Sequence, residues 1–472
     1  MRKALLPLLL LCLPVSALAQ PEGPNRPATA PAAPGAPAVT PAPALSLPPP
    51  PPVSDPMLAP VPPPQRILSS WQEAMTYLRT RSTDLKIALD QVLQAEAQTR
   101  IALAQYLPQI NATGLVTHQL LVSNGIYISN AGATSSNTTA FGNIQVQQSL
   151  IDVQQFDAIS INELNEDVNK LTVDDRKRTL ALGLANQIVA VVTAERSAEI
   201  NRVGLKVALE QLEITQRKQA LGAANGLDVV RAQQNAANAR ATLVSGDEML
   251  REAREALGLA LGIPEETGVA PNVDVNGLAQ SAVGMCRTVQ SVDERPDVAS
   301  ARTNLEVAKR NLRNVYYSFL PTLSAQSTAM WTSPAPAFGA PDPTWNIQGV
   351  LSVPIFDGGV RYGNLRNARA LADIAAQNLE ALRRQAIIQV EQAQRQLTVA
   401  EVADKVALEQ RDLAARNDQM TQTAYMAGQG TSLELVTASE AHRQAELNLA
   451  LADFNVVKAR MLAVLALATC PW

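Results

Sequence analysis

The sequence predicts a mainly α-helical chain with a membrane β-barrel portion, built by duplication of one unit, and three observations carry that prediction. The first is a long internal repeat. Asp84–Ile110 (DLKIALDQVLQAEAQTRIALAQYLPQI) aligns without a gap with Asp297–Leu323 (DVASARTNLEVAKRNLRNVYYSFLPTL), and Gly222-x4-Leu227-Asp228-Val229-Val230 aligns with Gly428-x4-Leu433-Glu434-Leu435-Val436. A repeat this long, in only two copies, is a duplicated domain rather than a solenoid of short units. The second is a pair of proline-free stretches, about Asp152 to Ala220 and about Tyr362 to Ala427. The third is a set of four short segments with strict alternation of apolar and polar residues.

Taken in order, the chain opens with Arg2 and Lys3, an apolar run Ala4–Leu13 and Ala17-Leu18-Ala19 before Gln20. This pattern reads as a secretory signal peptide over residues 1–19 rather than a membrane anchor. Cys12 lies inside the apolar run with Leu11 before it, where a lipidation site wants a small residue. Residues 20–66 are dominated by Pro and Ala. Such a segment lacks amide donors and bulky apolar groups, so it is expected to be an extended, unpacked linker, with a tether to cell wall or a partner as the sharper alternative.

The remainder divides into a first repeat (67–264), a linker (265–293) and a second repeat (294–469). Aromatic residues make up only 4% of the chain, a mix suited to close-packed long helices. A net charge of −4 with no basic cluster argues against a nucleic-acid partner. Cys286 and Cys470 are the cysteines left after signal removal, in an export compartment that permits disulfides. Their spacing leaves open whether they pair.

Each proline-free stretch runs some 65 residues, which as a helix is roughly 100 Å long. Leu171, Leu180, Leu184 and Ile188 recur at helical spacing among charged residues, so each rod has an apolar stripe that must meet other helices. The return helices, about Leu227–Leu261 and Leu433–Leu467, are half as long and cover one half of each rod. Helices about Thr83–Tyr106 and Asp297–Phe319 cover the other.

Pro108 and Pro321 end those last helices and push the residue before them into extended geometry. Alternation follows. Ile110, Ala112, Gly114, Val116, Leu120 and Val122 hold one parity against Asn111, Thr113, Thr117 and Gln119; Gly142, Ile144, Val146 and Leu150 alternate with Asn143, Gln145, Gln147 and Ser149. In the second repeat Leu323, Ala325, Ala329 and Trp331 oppose Thr322, Ser324, Gln326 and Thr328, and Trp345, Ile347, Leu351, Val353 and Ile355 oppose Asn346, Gln348 and Ser352. Strands that are apolar on one face and uncharged-polar on the other match a transmembrane barrel wall, as do the polar loops Ser123–Thr139 and Ser333–Pro343. Beyond the signal no run is long and apolar enough for a membrane-spanning helix. Four strands cannot close a barrel, and open edges are not tolerated in lipid. Several chains must then share one barrel: two give a filled interior, three give twelve strands and room for a passage.

At this point the residues resemble the TolC-like outer-membrane channel proteins of efflux pumps and type I secretion systems, over about residues 67 to 469. The carriers are Tyr106-Leu107-Pro108 and Phe319-Leu320-Pro321, Leu351-Ser352-Val353-Pro354-Ile355-Phe356-Asp357-Gly358-Gly359, Arg295-Pro296-Asp297, and the two Gly-turn segments. The resemblance implies a homotrimer with a twelve-stranded barrel in the outer membrane and a long α-helical periplasmic tunnel. It also implies a mixed belt formed by the mature N-terminus, the linker near Ile263 to Asp293 and the C-terminus. The implied work is passive: an exit duct docking to a periplasmic adaptor and an energised inner-membrane transporter.

The resemblance places adaptor docking and a closed entrance at the turns Gly222-Ala223 and Gly428-Gln429, although glycine is expected at a helix end in any case. Glu434 matches the first member of an axial acidic ring, and Thr437 stands where the second acid would be. The plainer account of Thr431-Ser432-Leu433-Glu434 is a capping box, with Asn225-Gly226-Leu227-Asp228 its counterpart. A latch between Tyr425 and Asp228 is implied as well, without its reinforcing Arg, which is Gly430 here. Asp152 and Asp357 read as N-caps of the rods.

No cofactor, metal site or catalytic constellation is expected. His118 and His442 have no neighbouring Cys or carboxylate cluster at metal spacing, and no Gly-rich phosphate loop follows a strand. The competing reading is a soluble helical periplasmic adaptor or spacer, which should carry small β-rich domains around a single hairpin rather than helices throughout both halves.

Overall fold

The computed structural model describes residues 52–118, 120, 138–271, 277, 280, 281, 284, 286–334, 342–470 and 472. The predicted signal segment, the Pro/Ala-rich residues up to 51 and most of both strand-to-strand loops lie outside them. In chain order the described elements are a 3₁₀ turn Pro56–Leu58, β1 Arg66–Leu68, α1 Trp71–Arg81, α2 Thr83–Tyr106, β2 Gln109–His118, β3 Thr138–Ile151, α3 Val153–Ala220 and α4 Gly226–Ala260. After these come β4 Thr267–Val269, β5 Arg287–Thr288, α5 Pro296–Tyr317, β6 Thr322–Ser333, β7 Thr344–Ser352, α6 Val360–Met426, α7 Ser432–Leu465 and β8 Ala468–Thr469.

The rods α3 and α6 are continuous helices of 68 and 67 residues. Asp152 caps α3 by accepting from the Gln155 amide at 3.0 Å. Asp357 acts from further out: α6 begins after a left-handed Gly359, and the Asp357 carboxylate accepts from the Gly359 and Arg361 amides, each at 3.0 Å. Both repeats build one aromatic contact beneath the sheet, Tyr106 against Phe156 and Phe319 against Tyr362, edge to face at 6.1 and 5.5 Å.

Along α3 the apolar stripe changes partners. Val173 meets Leu85 and Ala88 of α2 in the half nearer the sheet, while Leu205, Ala208 and Leu209 meet Ala236, Ala239 and Leu243 of α4 in the other half. The repeats also meet through α3 and α5, where the buried Asp157 carboxylate takes Arg310 at 3.1 Å and Arg313 at 3.3 Å. Small alanines at these contacts let the helix axes approach closely without a wide core.

Between the halves lies the largest apolar cluster, in which Leu68, Trp71 and Leu78 pack on Leu184 and Ile188 of α3, Leu257 of α4 and Met461 of α7. Four short strands converge here. β1 pairs in parallel with β4, β5 pairs antiparallel with β8, and a disulfide joins Cys286 to Cys470 at an S–S distance of 2.06 Å. Arg295, 2% exposed, binds both Asp297 oxygens at 2.7 and 2.5 Å, Gln389 of α6 at 3.0 Å and the Ala466 carbonyl at 3.5 Å. One guanidinium thus fastens the start of the second repeat to its rod and its return helix.

The segment before β1 corrects a composition-based expectation. Residues 20–66 were expected to be unpacked, yet Val53, Met57 and Leu58 lie against the cluster formed by α3 and α4. Asp55 accepts from Arg240 Nε and Nη2 at 3.0 and 2.9 Å, and Arg254 donates to the Pro62 carbonyl at 3.0 Å. The Met57 amide and Arg240 hold the Asp55 carboxyl below the usual carboxylate range. Proline removes the donor a ladder needs but leaves the carbonyl and ring face free to dock on a surface that already exists.

The four long strands form one antiparallel sheet in the order β2-β3-β6-β7, leaving β2 and β7 as open edges. Pairing sets Gln109, Gln147, Gln326 and Gln348 in a single row across all four strands, with Asn111, Gln145, Thr328 and Asn346 in a second row on the same face. Gln348 Nε2 donates to Gln326 Oε1 at 3.0 Å. The opposite face carries Ile110, Val116, Ile347 and Trp345, the last 74% exposed. No Asp, Glu, Lys or Arg occurs in any of the four strands. The expected alternation is interrupted where a bulge skips Leu150, so that Ile151 rather than Leu150 lies opposite Leu323, and the outer strands stop short of the expected Leu120 and of Val353 and Ile355, ending at His118 and Ser352. An extra residue in one strand shifts its parity from that point on.

Two outcomes follow from the belt. Arg295→Ala leaves the half-buried Asp297 without its partner and should cost about 1.5–3 kcal/mol. Burial tends to raise the Asp297 pKa, but the Arg295 bonds and charge outweigh it and hold it below the usual value. The contribution is therefore complete above about pH 4 and lost as pH falls through the lowered value, so melts of wild type and variant should converge in acid. Replacing both Cys286 and Cys470 by serine should lower stability by about 2–4 kcal/mol, seen as a lower melting temperature that reductant no longer changes.

Candidate functional site at the helical tips

Far from the sheet, each rod reverses into its return helix, and the two reversals are built alike. After α3, the Gly222 amide donates to the Gln219 carbonyl at 2.9 Å and the Ala223 amide to the Lys218 carbonyl at 2.8 Å. After α6, the Gly428 amide donates to the Tyr425 carbonyl at 3.2 Å and the Gln429 amide to the Ala424 carbonyl at 2.9 Å. This is the Schellman pattern, with a left-handed residue where only glycine sits without strain: φ is 73° at Gly222 and 75° at Gly428.

A capping box then starts each return helix. Asn225 accepts from the Asp228 amide at 2.9 Å while Asp228 accepts from the Asn225 amide at 3.3 Å. Thr431 accepts from the Glu434 amide at 3.2 Å while Glu434 accepts from the Thr431 amide at 2.8 Å. The Thr431 amide and hydroxyl hold the exposed Glu434 carboxyl below its usual range. Thr437 turns its hydroxyl back onto its own helix, at 3.0 Å from the Leu433 and Glu434 carbonyls.

The bond expected between Tyr425 and Asp228 is not formed within the chain. Both Asp228 oxygens are occupied, one by the Asn225 amide and the other by a short hydrogen bond from the Ser432 hydroxyl. Tyr425, 6% exposed, turns instead toward α3, with its hydroxyl 3.4 Å from Thr215 Oγ1. Lys218 Nζ donates to the Tyr425 carbonyl at 2.7 Å and stands 3.7 Å from the ring centroid. Burial draws the Lys218 pKa below that of an ordinary lysine. A cation over an aromatic face, partly withdrawn from water, is worth about 1–2 kcal/mol.

The hairpins of the two repeats are thus joined by two fastenings: Tyr425 on Lys218 and Thr215, and Ser432 on Asp228. Sequence reasoning placed Tyr425 and Asp228 at this end but missed Thr215, Lys218 and Ser432. A signal was present for two of them, because the duplicated positions disagree: Ala424 stands opposite Lys218, and Gly226 opposite Ser432. At Gly430, in place of the expected Arg, an added Cβ would lie 3.1 Å from the Tyr425 amide nitrogen, so the turn closes tightly on the end of α6.

Two further expectations concern polar groups. His442 does have carboxylate neighbours, Asp418 at 3.1 Å and Glu446 at 3.6 Å, brought together by the packing of α7 on α6. Among the described residues no group of three His, Cys, Asp or Glu is placed to hold a metal ion, and no helix is long and apolar enough to cross a membrane.

Paired rods, a duplicated unit and a four-stranded uncharged sheet define the architecture of outer-membrane channel proteins. The chain belongs to the outer membrane efflux protein family, whose model matches residues 76–263 and 289–465. It is similar to the toluene efflux pump outer membrane protein TtgC of Pseudomonas putida, 24% identical over 366 residues that span 75% of this chain and 74% of that one. It is also similar to the cation efflux system protein CusC of Escherichia coli K12, 25% identical over 369 residues, 76% and 74% of the two chains. Among solved structures, CusC superposes with a TM-score of 0.73 at 18% identity over 88% of this chain and 98% of that one. VceC of Vibrio cholerae gives 0.69 at 16% identity over 84% and 95%. The chain is an outer-membrane efflux channel protein, and the spacer reading falls with that assignment.

Proposed function

We propose that three copies close their sheets into a twelve-stranded barrel in the outer membrane, and that the rods continue it as a periplasmic tunnel. The observation that carries this is the four-stranded sheet with two open edges, apolar on one face and free of charge throughout. In lipid such edges must be paired, and twelve strands leave a passage. The duct is passive: it docks to a periplasmic adaptor through the turns Gly222-Ala223 and Gly428-Gln429, and an inner-membrane transporter supplies the energy. Relatives are named for toluene, pyoverdine and cation efflux, which fits a duct whose cargo is chosen by the transporter rather than by the channel.

The tips form the entrance gate. Glu434, with Thr437 one turn on, faces the axis, where three carboxylates attract cations. Asp228 and Tyr425 hold the closed state through Ser432 and Lys218 rather than through each other. Removing a hydrogen bond that involves a charged group shifts a closed–open balance by about 1.5–3 kcal/mol. Lys218→Ala and Asp228→Ala should therefore each raise single-channel conductance of the purified trimer in planar bilayers, while Tyr425→Phe, which keeps the ring and carbonyl, should raise it less. Unchanged conductance in both Lys218→Ala and Asp228→Ala would remove these residues from the gate. Fractionation tests the broader reading: the protein should float with outer membranes and run as a heat-modifiable oligomer.

A further inference from the structure

We propose that the seam between copies has one register: Gln109 of one copy lies opposite Ser352 of the next, and Thr113 opposite Gln348, so that each seam is staggered by four residues. This rests on the three-copy barrel above. Within one chain the register partners run straight across, Gln109 to Gln147 to Gln326 to Gln348, with no displacement along the strands. A closed barrel requires strands tilted by about 35–45° and a matching stagger around the circumference. The three seams must supply all of it.

The geometry selects among the choices. Each residue of stagger moves about 3.3 Å along a strand, and each strand adds about 4.8 Å across. Four residues for every four strands give a tilt of about 35°, two give about 20°, and none leaves the strands upright. Odd staggers would set polar residues against apolar ones on the same face. Six gives about 46° and places Gln109 opposite Pro354, which has no amide proton to contribute.

Strand length points the same way. β2 runs Gln109–His118 and β7 runs Thr344–Ser352. With Gln109 opposite Ser352, Thr117 meets Thr344 and both edges are paired from end to end. With Gln109 opposite Gln348, the outer half of β2 and the last residues of β7 stay unpaired, which hydrocarbon does not tolerate. On the lipid face the proposed register keeps apolar opposite apolar, with Ile110 opposite Leu351, Ala112 opposite Gly349, Gly114 opposite Ile347 and Val116 opposite Trp345. On the inner face it continues the uncharged polar rows, with Thr113 beside Gln348.

Paired cysteines in the full-length protein, oxidised in isolated outer membranes, test it. Directly opposed Cβ atoms are about 4.5–5.5 Å apart and diagonal ones about 7–8 Å, so disulfide formation resolves a two-residue shift. Thr113→Cys with Gln348→Cys should convert most of the protein to a covalent trimer on non-reducing gels. Gln109→Cys with Gln348→Cys, and Leu115→Cys with Gln348→Cys, should not. Cross-linking by either of the latter pairs, or none by the first while unheated samples still run as trimers, would overturn the register. Loss of the trimer in unheated wild type would instead overturn the barrel on which the register rests.

Discussion

Unpaired backbone along β2 and β7 is the constraint to which the rest of the structure answers. A sheet with two open edges and a face bearing Ile110, Val116, Trp345 and Ile347 has no stable place in water or in lipid as a single chain. The strands contain no charged residue that would protect an edge, and the polar rows that include five glutamines are uncharged too. In the proposed trimer, edge pairing with further copies satisfies the backbone and puts the amide rows inside, and the barrel so closed fixes the rods, which carry on from β3 and β7.

Duplication supplies the parts in pairs, and helix and strand contacts between the repeats hold the pairs together. Each repeat contributes two strands, a rod and two half-length helices. The contacts that make one body of them are the pairing of β3 with β6, Asp157 held by Arg310 and Arg313 between α3 and α5, and the apolar cluster in which Trp71, Leu78 and Leu184 meet Met461. At the opposite end the repeats are joined by groups in which the copies differ. Lys218 serves as both a hydrogen-bond donor and a cation over Tyr425, a role that its counterpart Ala424 cannot fill.

Much of this was legible in the residues themselves. Proline-free stretches located both rods to within a few residues, because nothing else in a chain tolerates that length without a breaker. Alternation located all four strands, and the capping boxes at Asp228 and Glu434 were visible from local spacing. What escaped was determined by contact across long separations. The bulge at Leu150 depends on how β3 meets β6, and the docking of Asp55 depends on Arg240 of α4, far along the chain. The Tyr425–Asp228 pairing was carried over from a resemblance, and within the chain the two groups have other partners: Asp228 takes the Asn225 amide and the Ser432 hydroxyl, and Tyr425 packs on Thr215 and Lys218.

The central claim is that the open edges are closed by copies of this chain and by nothing else. The most direct measurement is the mass of the protein extracted from outer membranes in mild detergent, taken by native mass spectrometry. A particle of three mature chains without further polypeptide is the expected result. A monomer, or an assembly in which another protein completes the barrel, would contradict it.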